Sequence, residues 1–370
     1  MHRKSDRLSR RGVLAAGAGV LVASTCAGRA IAQTVSIDAT VAAVRNRYGL
    51  PGVAALVLRG GSVVAQGVAG VRSSTGSVPI AIDDPFVLGS CGKSMTATVA
   101  ARLVARGAVW FETTLAQAFP ELLPSMQPAY QAMSLRHLLA HRSGIPQSPP
   151  IPLPLPGDPA AERARALPIL LGLPPQGIPG QTFLYSNLGY IVAGAMLERV
   201  AGLSFEALVT AELFQPLGLS TGGFGAPPGD APQGHTAFWL PLPEGSDLYP
   251  PLGAAPAGLM RLSLPDWARY ALVHLGLGPA DYLAPGLLGY LQQPWIPDLG
   301  ELYALGWHVD PGNWGTELRH DGSDGYWSAR IRLIPSLGYG VLMASNMLGV
   351  NVEPAAEELE AELMRSFPPA

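Results

Sequence analysis

Lysine is almost absent from this chain: among 24 basic residues in 370, only Lys4 and Lys93 are lysines. Arginine carries the rest of the positive charge, and its proton is too firmly held for acid–base work. A retained lysine is therefore a candidate for chemistry. Cysteine is equally scarce, with Cys26 and Cys91 alone, which excludes a cysteine-ligated zinc or iron–sulfur centre and a disulfide framework. Cys91 reads as a small buried side chain at a helix start. Charged residues make up 14% of the chain and the net charge is −3, so a phosphate backbone has little to grip and nucleic acid is not an expected partner. Long apolar runs are missing too. The stretch Gly12 to Ala23 is interrupted by Gly17 and Gly19 and falls short of the roughly 20 residues that span a bilayer. No integral membrane segment is expected in the mature chain.

The first 32 residues read as an export signal. Met1 to Arg11 is basic, Gly12 to Ala23 is apolar, and Ala30-Ile-Ala32 offers a small-x-small cleavage site before Gln33. Ser9-Arg10-Arg11-Gly12-Val13-Leu14 has the form of a twin-arginine signal. Periplasmic or extracellular location by that route is the expectation. Removal of residues 1–32 takes six basic and one acidic residue from the 24 and 27 of the whole, leaving 18 and 26, a net charge of about −8.

Periodicity then divides the mature chain. A helix is predicted from Ser36 to Tyr48, followed by strands Val53–Leu58 and Ser62–Val71 joined by the hairpin signature Arg59-Gly60-Gly61. From Thr114 to about Gly278 short helical patches alternate with proline-rich loops. Pro146 to Pro156 is the longest of these and suits a stiff wall beside a pocket. Strand patterns return at Tyr303–Val309, Glu317–His320, Trp327–Ile334 and Tyr339–Ala344, and an acidic helix, Val352–Arg365, closes the chain. The fold class is α+β. An antiparallel sheet is expected from both termini, with helices packed on it and a mostly helical region inserted. In residue terms the sheet region is 33–88 plus 290–370, the helical region carrying the nucleophile is 89–289, and the active site lies between them.

Three phrases carry chemistry. Ser90-Cys-Gly-Lys93 places a hydroxyl and the retained lysine one helical turn apart on one face, where the amine can accept the hydroxyl proton. Tyr185-Ser-Asn187 supplies a phenol, whose ionised form a neighbouring cation favours, and an amide that can both donate to and accept from a substrate. Arg319-His320-Asp321-Gly322-Ser323 ends a strand with a glycine that permits close approach of substrate, and the next backbone N–H can face an oxyanion. Two other readings fail. Gly89 to Ser94 superficially matches a phosphate-binding loop but has Val87 where glycine is required. His137 and His141 share a helical face without the glutamate of a zincin or a clear third ligand, so helix packing or loop anchoring is expected of them. No metal or other cofactor is expected.

Together and in this order, the three phrases resemble the serine β-lactamase and penicillin-recognising enzyme superfamily, especially its class C-like branch of esterases, D-amino-acid peptidases and related hydrolases. Leu139-Ala-His-Arg-Ser-Gly144, Pro256-Ala-Gly258 with Ser263 to Trp267, and the closing strand into Asn346 extend the resemblance over nearly the whole mature chain. It implies a serine hydrolase working through an acyl-enzyme, with Ser90, Lys93, Tyr185 and His320 catalytic. Backbone N–H groups of Ser90 and Ser323 would hold the oxyanion, with Asn187 and Gly322 positioning substrate. Histidine at 320, where β-lactamases of this branch usually carry lysine, leans toward ester or amide substrates. Asp321 adds a negative charge that Arg319 or Arg330 would have to offset. If a neutral His320 assists, activity should rise through roughly pH 6 to 7. Trp314 and Trp327 are the expected pocket tryptophans. The alternatives are a β-lactamase, a D-alanyl-D-alanine carboxypeptidase or D-aminopeptidase, and a penicillin- or muropeptide-binding protein that acylates without turnover. The expected partner is a small ester, amide or β-lactam, peptidoglycan fragments included, and the expected state is a monomer.

Overall fold

The computed structural model describes residues 34–147, 158–295 and 301–369. The export signal and most of the proline-rich stretch 146–156 lie outside the described residues. The central element is a seven-stranded sheet. Its strands are β1 (Val35–Ser36), β2 (Gly52–Arg59), β3 (Ser62–Gly70), β4 (His308–Gly312), β5 (Gly315–Ser323), β6 (Ser328–Ile334) and β7 (Tyr339–Ser345), in the spatial order β1-β3-β2-β7-β6-β5-β4. Every pairing is antiparallel except the edge, where β1 runs parallel to β3. That two-residue edge is the one departure from the all-antiparallel expectation. The middle strands β2 and β7 are apolar and buried almost throughout, as strands covered on both faces must be.

Local chemistry explains the turns. Gly60 and Gly61 both have positive φ, 56° and 84°, the type I′ geometry that matches strand twist in a two-residue hairpin. The predicted strand at Tyr303 begins only at His308, because Tyr303 and His308 form an isolated bridge and the intervening residues turn. One of the short helical patches, from Phe205, is α-helical to Val209 and widens into a π-turn over Thr210–Phe214.

Helices cover both faces. α1 (Asp38–Tyr48) and the C-terminal helix pack on one side with the side chains of Val57, Val341 and Met343. On the other side lie α2 (Gly92–Ala105), α3 (Leu135–Leu139), α4 (Asn187–Ala201) and α5 (Leu264–His274), against Leu318, Ile331 and Leu342. The C-terminal helix, α6, is Val352–Ser366. Alternation along β5 therefore decides which residues reach which side: Leu318, His320 and Gly322 face the helical layer, and Arg319, Asp321 and Ser323 face α6. No helix among the described residues is long and apolar enough to cross a membrane.

Candidate active site

The approach to Ser90 is fixed by backbone. Phe86–Val87 pairs antiparallel with Met260–Leu262, and the Leu88 N–H donates to the Met260 carbonyl at 2.9 Å. Gly89 then takes φ 52°, and a Cβ there would stand 2.0 Å from the Ser323 nitrogen, so only glycine lets the two segments meet. A 3₁₀ turn, Gly89–Cys91, feeds directly into α2. Ser90 is half-buried, whereas Lys93 is completely buried.

Lys93 has three polar neighbours. Its Nζ lies 2.8 Å from Ser90 Oγ, 2.8 Å from Asn187 Oδ1 and 2.6 Å from the Ala257 carbonyl. Burial penalises its charged form and lowers its pKa to about 7. The neutral amine has two N–H donors and one lone pair. With the N–H groups on Asn187 Oδ1 and the Ala257 carbonyl, neither of which can donate, the lone pair is left for the Ser90 hydroxyl. The arrangement can therefore take a proton from Ser90 near neutral pH.

Asn187 opens α4. Ser186 caps that helix by accepting from the Gly189 N–H at 3.0 Å, donates its hydroxyl to the Pro146 carbonyl, and donates its own N–H to His141 Nδ1 at 3.0 Å. His141 thus anchors a loop. His137 caps its own helix by accepting the Ser134 N–H at 3.1 Å. Burial holds the Tyr185 phenol well above its ordinary range, only partly offset by the neighbouring Ser90 side chain. Lys93 Nζ sits 4.8 Å from the centroid of its ring, against the π face. The expectation of a favoured phenolate is corrected: burial favours the neutral phenol.

His320 also departs from expectation. It is buried, its Nδ1 lies 2.6 Å from the Asp321 carbonyl and its Nε2 lies 3.0 Å from the Tyr303 hydroxyl. A carbonyl only accepts, so the proton is on Nδ1 and Tyr303 donates to Nε2. Burial first, then Lys93 and His308, hold its pKa well below the usual imidazole range. With both nitrogens engaged, it has nothing left for a substrate carboxylate.

The neighbouring charges lie elsewhere. Asp321 pairs with Arg330 at 2.5 Å on the α6 side, where Arg330 also meets Glu360 at 3.3 Å, and Arg319 pairs with Asp310. None of the three faces Ser90, so the expected contest between Asp321 and the two arginines does not occur there. The tryptophan expectation is also corrected. Trp327 is wholly buried against Phe86, and Trp314 lies in the β4–β5 turn, at the other end of β5 from Ser323. The aromatic wall instead comprises Tyr185, His141, Tyr303 and Phe183, with centroid separations of 4.2 Å for His141–Tyr185 and 4.8 Å for His141–Tyr303. Sequence reading missed Tyr303, which stands in no motif, and the Ala257 carbonyl, a backbone group with no side-chain signature.

Gly322 and Ser323 abut the nucleophile turn. A Cβ on Gly322 would stand 2.1 Å from the Leu88 oxygen and 2.8 Å from the Ser90 nitrogen. Cys91 is buried behind this junction, its Sγ 3.3 Å from the His320 carbonyl, and burial raises its thiol pKa well above normal. It is a packing residue.

The beta-lactamase family model matches residues 37–363. Penicillin-binding protein 4 of Amycolatopsis lactamdurans is 26% identical over 341 residues, covering 82% of this chain and 83% of that protein. Esterase EstB of Burkholderia gladioli is 28% identical over 204 residues, 49% of each chain. In fold, the chain matches the β-lactamase/D-alanine carboxypeptidase of Pseudomonas syringae with a TM-score of 0.74 at 19% identity, over 88% of this chain and 97% of that one. A serine hydrolase acting through an acyl-enzyme accords with these matches, and with residues 37–363 inside the family's pattern the chain belongs to the beta-lactamase family.

Proposed function

We propose that the protein hydrolyses neutral short-chain esters through an acyl-Ser90 intermediate. The observation that carries this reading is the buried Lys93 amine, 2.8 Å from Ser90 Oγ and with a pKa of about 7. Neutral Lys93 takes the Ser90 proton as Oγ attacks the ester carbonyl. The Ser90 and Ser323 N–H groups hold the developing oxyanion. The protonated amine then gives its proton to the departing alcohol, and water, deprotonated in the same way, releases the acid and restores Ser90. Asn187 Oδ1 orients the lysine, and its NH₂ group, with no hydrogen-bond partner in the described residues, is free to bind the acyl oxygen. Tyr185, neutral because it is buried, stands beside Ser90. His320, locked between Tyr303 and the Asp321 carbonyl, is a positioning residue for the end of β5.

The preference for esters follows from charge. The third phrase supplies no cation to dock a carboxylate, because His320 is neutral and fully engaged and Arg319 and Arg330 face α6. The similarity to an esterase supports the same choice. Hydrolysis of p-nitrophenyl butyrate should exceed that of a chromogenic cephalosporin or a D-alanyl dipeptide in kcat/KM, and a fluorophosphonate should label Ser90 alone. A cephalosporin value a hundredfold above the ester would make the protein a β-lactamase. A stable penicillin adduct without product release would make it a binding protein, and label on another residue would overturn the nucleophile.

The pH dependence should follow Lys93 and not His320. Below about pH 7 the amine is protonated and cannot accept from Ser90, so kcat/KM should rise through about pH 7 and level off above it. His320 is already neutral throughout that window. A profile flat from pH 6 to 8 would assign the proton acceptor elsewhere.

A further inference from the structure

The face of the sheet turned away from Ser90 holds a cavity that the hydrolase chemistry meets only at Gly322 and Ser323. It lies between the ends of β5, β6 and β7 and helices α1 and α6 and has a volume of about 380 Å³. Its walls are aliphatic, including Val44, Val53, Met343, Val352 and Leu359. Its floor carries a cross-strand row of hydroxyls, since Ser323 stands opposite Ser328 and Ser328 opposite Ser345. Ser345 is 5% exposed, and its Oγ is buried with no hydrogen-bond partner among the described residues. A buried hydroxyl left unpaired is unfavourable, and here it lines a cavity large enough for a small ligand.

The charges at this site define the occupant. Arg330 is already held by Asp321 and Glu360, and Glu353 also lines the cavity. A guanidinium already held by two carboxylates, with a third carboxylate in the cavity wall, disfavours an anionic head group. At the rim, Val350 is 92% exposed, and Gly349 stands against Ala237, next to Phe238, which is 94% exposed. We propose that this cavity, which meets the Ser90 centre at the Gly322–Ser323 end of β5 and otherwise lies on the α6 face of the sheet, is a second ligand site for an uncharged and largely apolar small molecule whose one hydroxyl or carbonyl group hydrogen-bonds Ser345.

The test uses the full chain and N-phenyl-1-naphthylamine, an uncharged probe that fluoresces in apolar surroundings, displaced by 1-octanol or by octanoate. Saturable binding at one site is expected. Ala356→Phe, which fills the cavity from α6, should weaken it at least tenfold while p-nitrophenyl butyrate turnover stays within twofold. Ser345→Ala should weaken displacement by octanol about three- to tenfold, the value of one hydrogen bond. Octanoate should be at least tenfold weaker than octanol. Unchanged probe affinity in Ala356→Phe, unchanged octanol displacement in Ser345→Ala, or equal displacement by octanoate would each overturn the proposal. Competitive inhibition of ester hydrolysis by the probe would place it at Ser90 and do the same. Should Ala356→Phe lose its native near-ultraviolet circular dichroism, the Ser345→Ala and octanoate arms decide alone.

Discussion

Lys93→Arg is expected to lower kcat by about 10²–10⁴, the usual worth of a positioned acid–base group, although it keeps a positive charge. The reason is protonation. Lys93 gives up its proton near pH 7 because the site is completely buried, and arginine does not give up its proton in proteins. Lys93→Met separates charge from shape. It keeps the length and apolar stem of lysine and removes the buried cation, so kcat should fall as far as in the arginine variant. Its melting temperature should hold or rise, most visibly below pH 7. The sign follows from linkage: the folded-state pKa is depressed from 10.5 to about 7, so the unfolded chain binds more protons between those values. Stability therefore increases with pH across that window and is penalised by the buried charge below it. Methionine removes both the penalty and the slope. Arginine in the same closed slot also overpacks it, and a loss of about 1–3 kcal/mol is expected. Single-turnover rates with p-nitrophenyl butyrate and thermal melts at pH 6 and 9 read both effects. Near-wild-type turnover in Lys93→Arg would mean that the lysine acts as a fixed charge.

The contrast between Lys93 and His320 shows which parts of the site are legible in sequence. Ser90 and Lys93 could be paired from spacing alone, because three residues on a helix fix their relation whatever surrounds them. Asn187 could be placed at a helix start because a capping serine precedes it. The sheet was legible for the same local reason: alternation and the Gly60-Gly61 turn act over a few residues. For His320 and Tyr185 the expected electrostatics differ from what burial imposes. Both depend on burial, and His320 also on Tyr303, 17 residues away along the chain; no local pattern encodes that. The side on which Asp321 and Arg330 fall was in principle readable. Period-two alternation places them opposite His320, but the strand had first to be known to carry helices on both faces. The Ala257 carbonyl was beyond reach, since a backbone acceptor leaves no mark in the choice of side chain.

The second large effect should come from adding one methyl group. In Gly322→Ala the new Cβ would lie 2.1 Å from the Leu88 oxygen, 2.8 Å from the Ser90 nitrogen and 2.9 Å from the Cys91 nitrogen. All three are backbone atoms, so no side chain can rotate away and either β5 or the nucleophile turn must move. Movement of either one separates the Ser90 and Ser323 N–H groups proposed to share the oxyanion. Losing one such donor costs about 10²–10³ in kcat, and that is the expected fall, together with a melting temperature lower by several degrees from the overpacking. Gly89→Ala should behave similarly, because its Cβ would meet the Ser323 nitrogen from the other side at 2.0 Å and the residue has a positive φ. Gly286→Ala is the control, since it lies in the helix Pro285–Gln292 and a Cβ there meets nothing within 4 Å; it should leave the rate unchanged and hold or slightly raise stability. The comparison also tests why a glycine stands at 322. If substrate access were its purpose, alanine would raise KM and spare kcat; if the oxyanion cradle requires it, kcat falls for every ester regardless of acyl length. Retention of wild-type kcat in Gly322→Ala would remove the end of β5 from the proposed catalytic machinery.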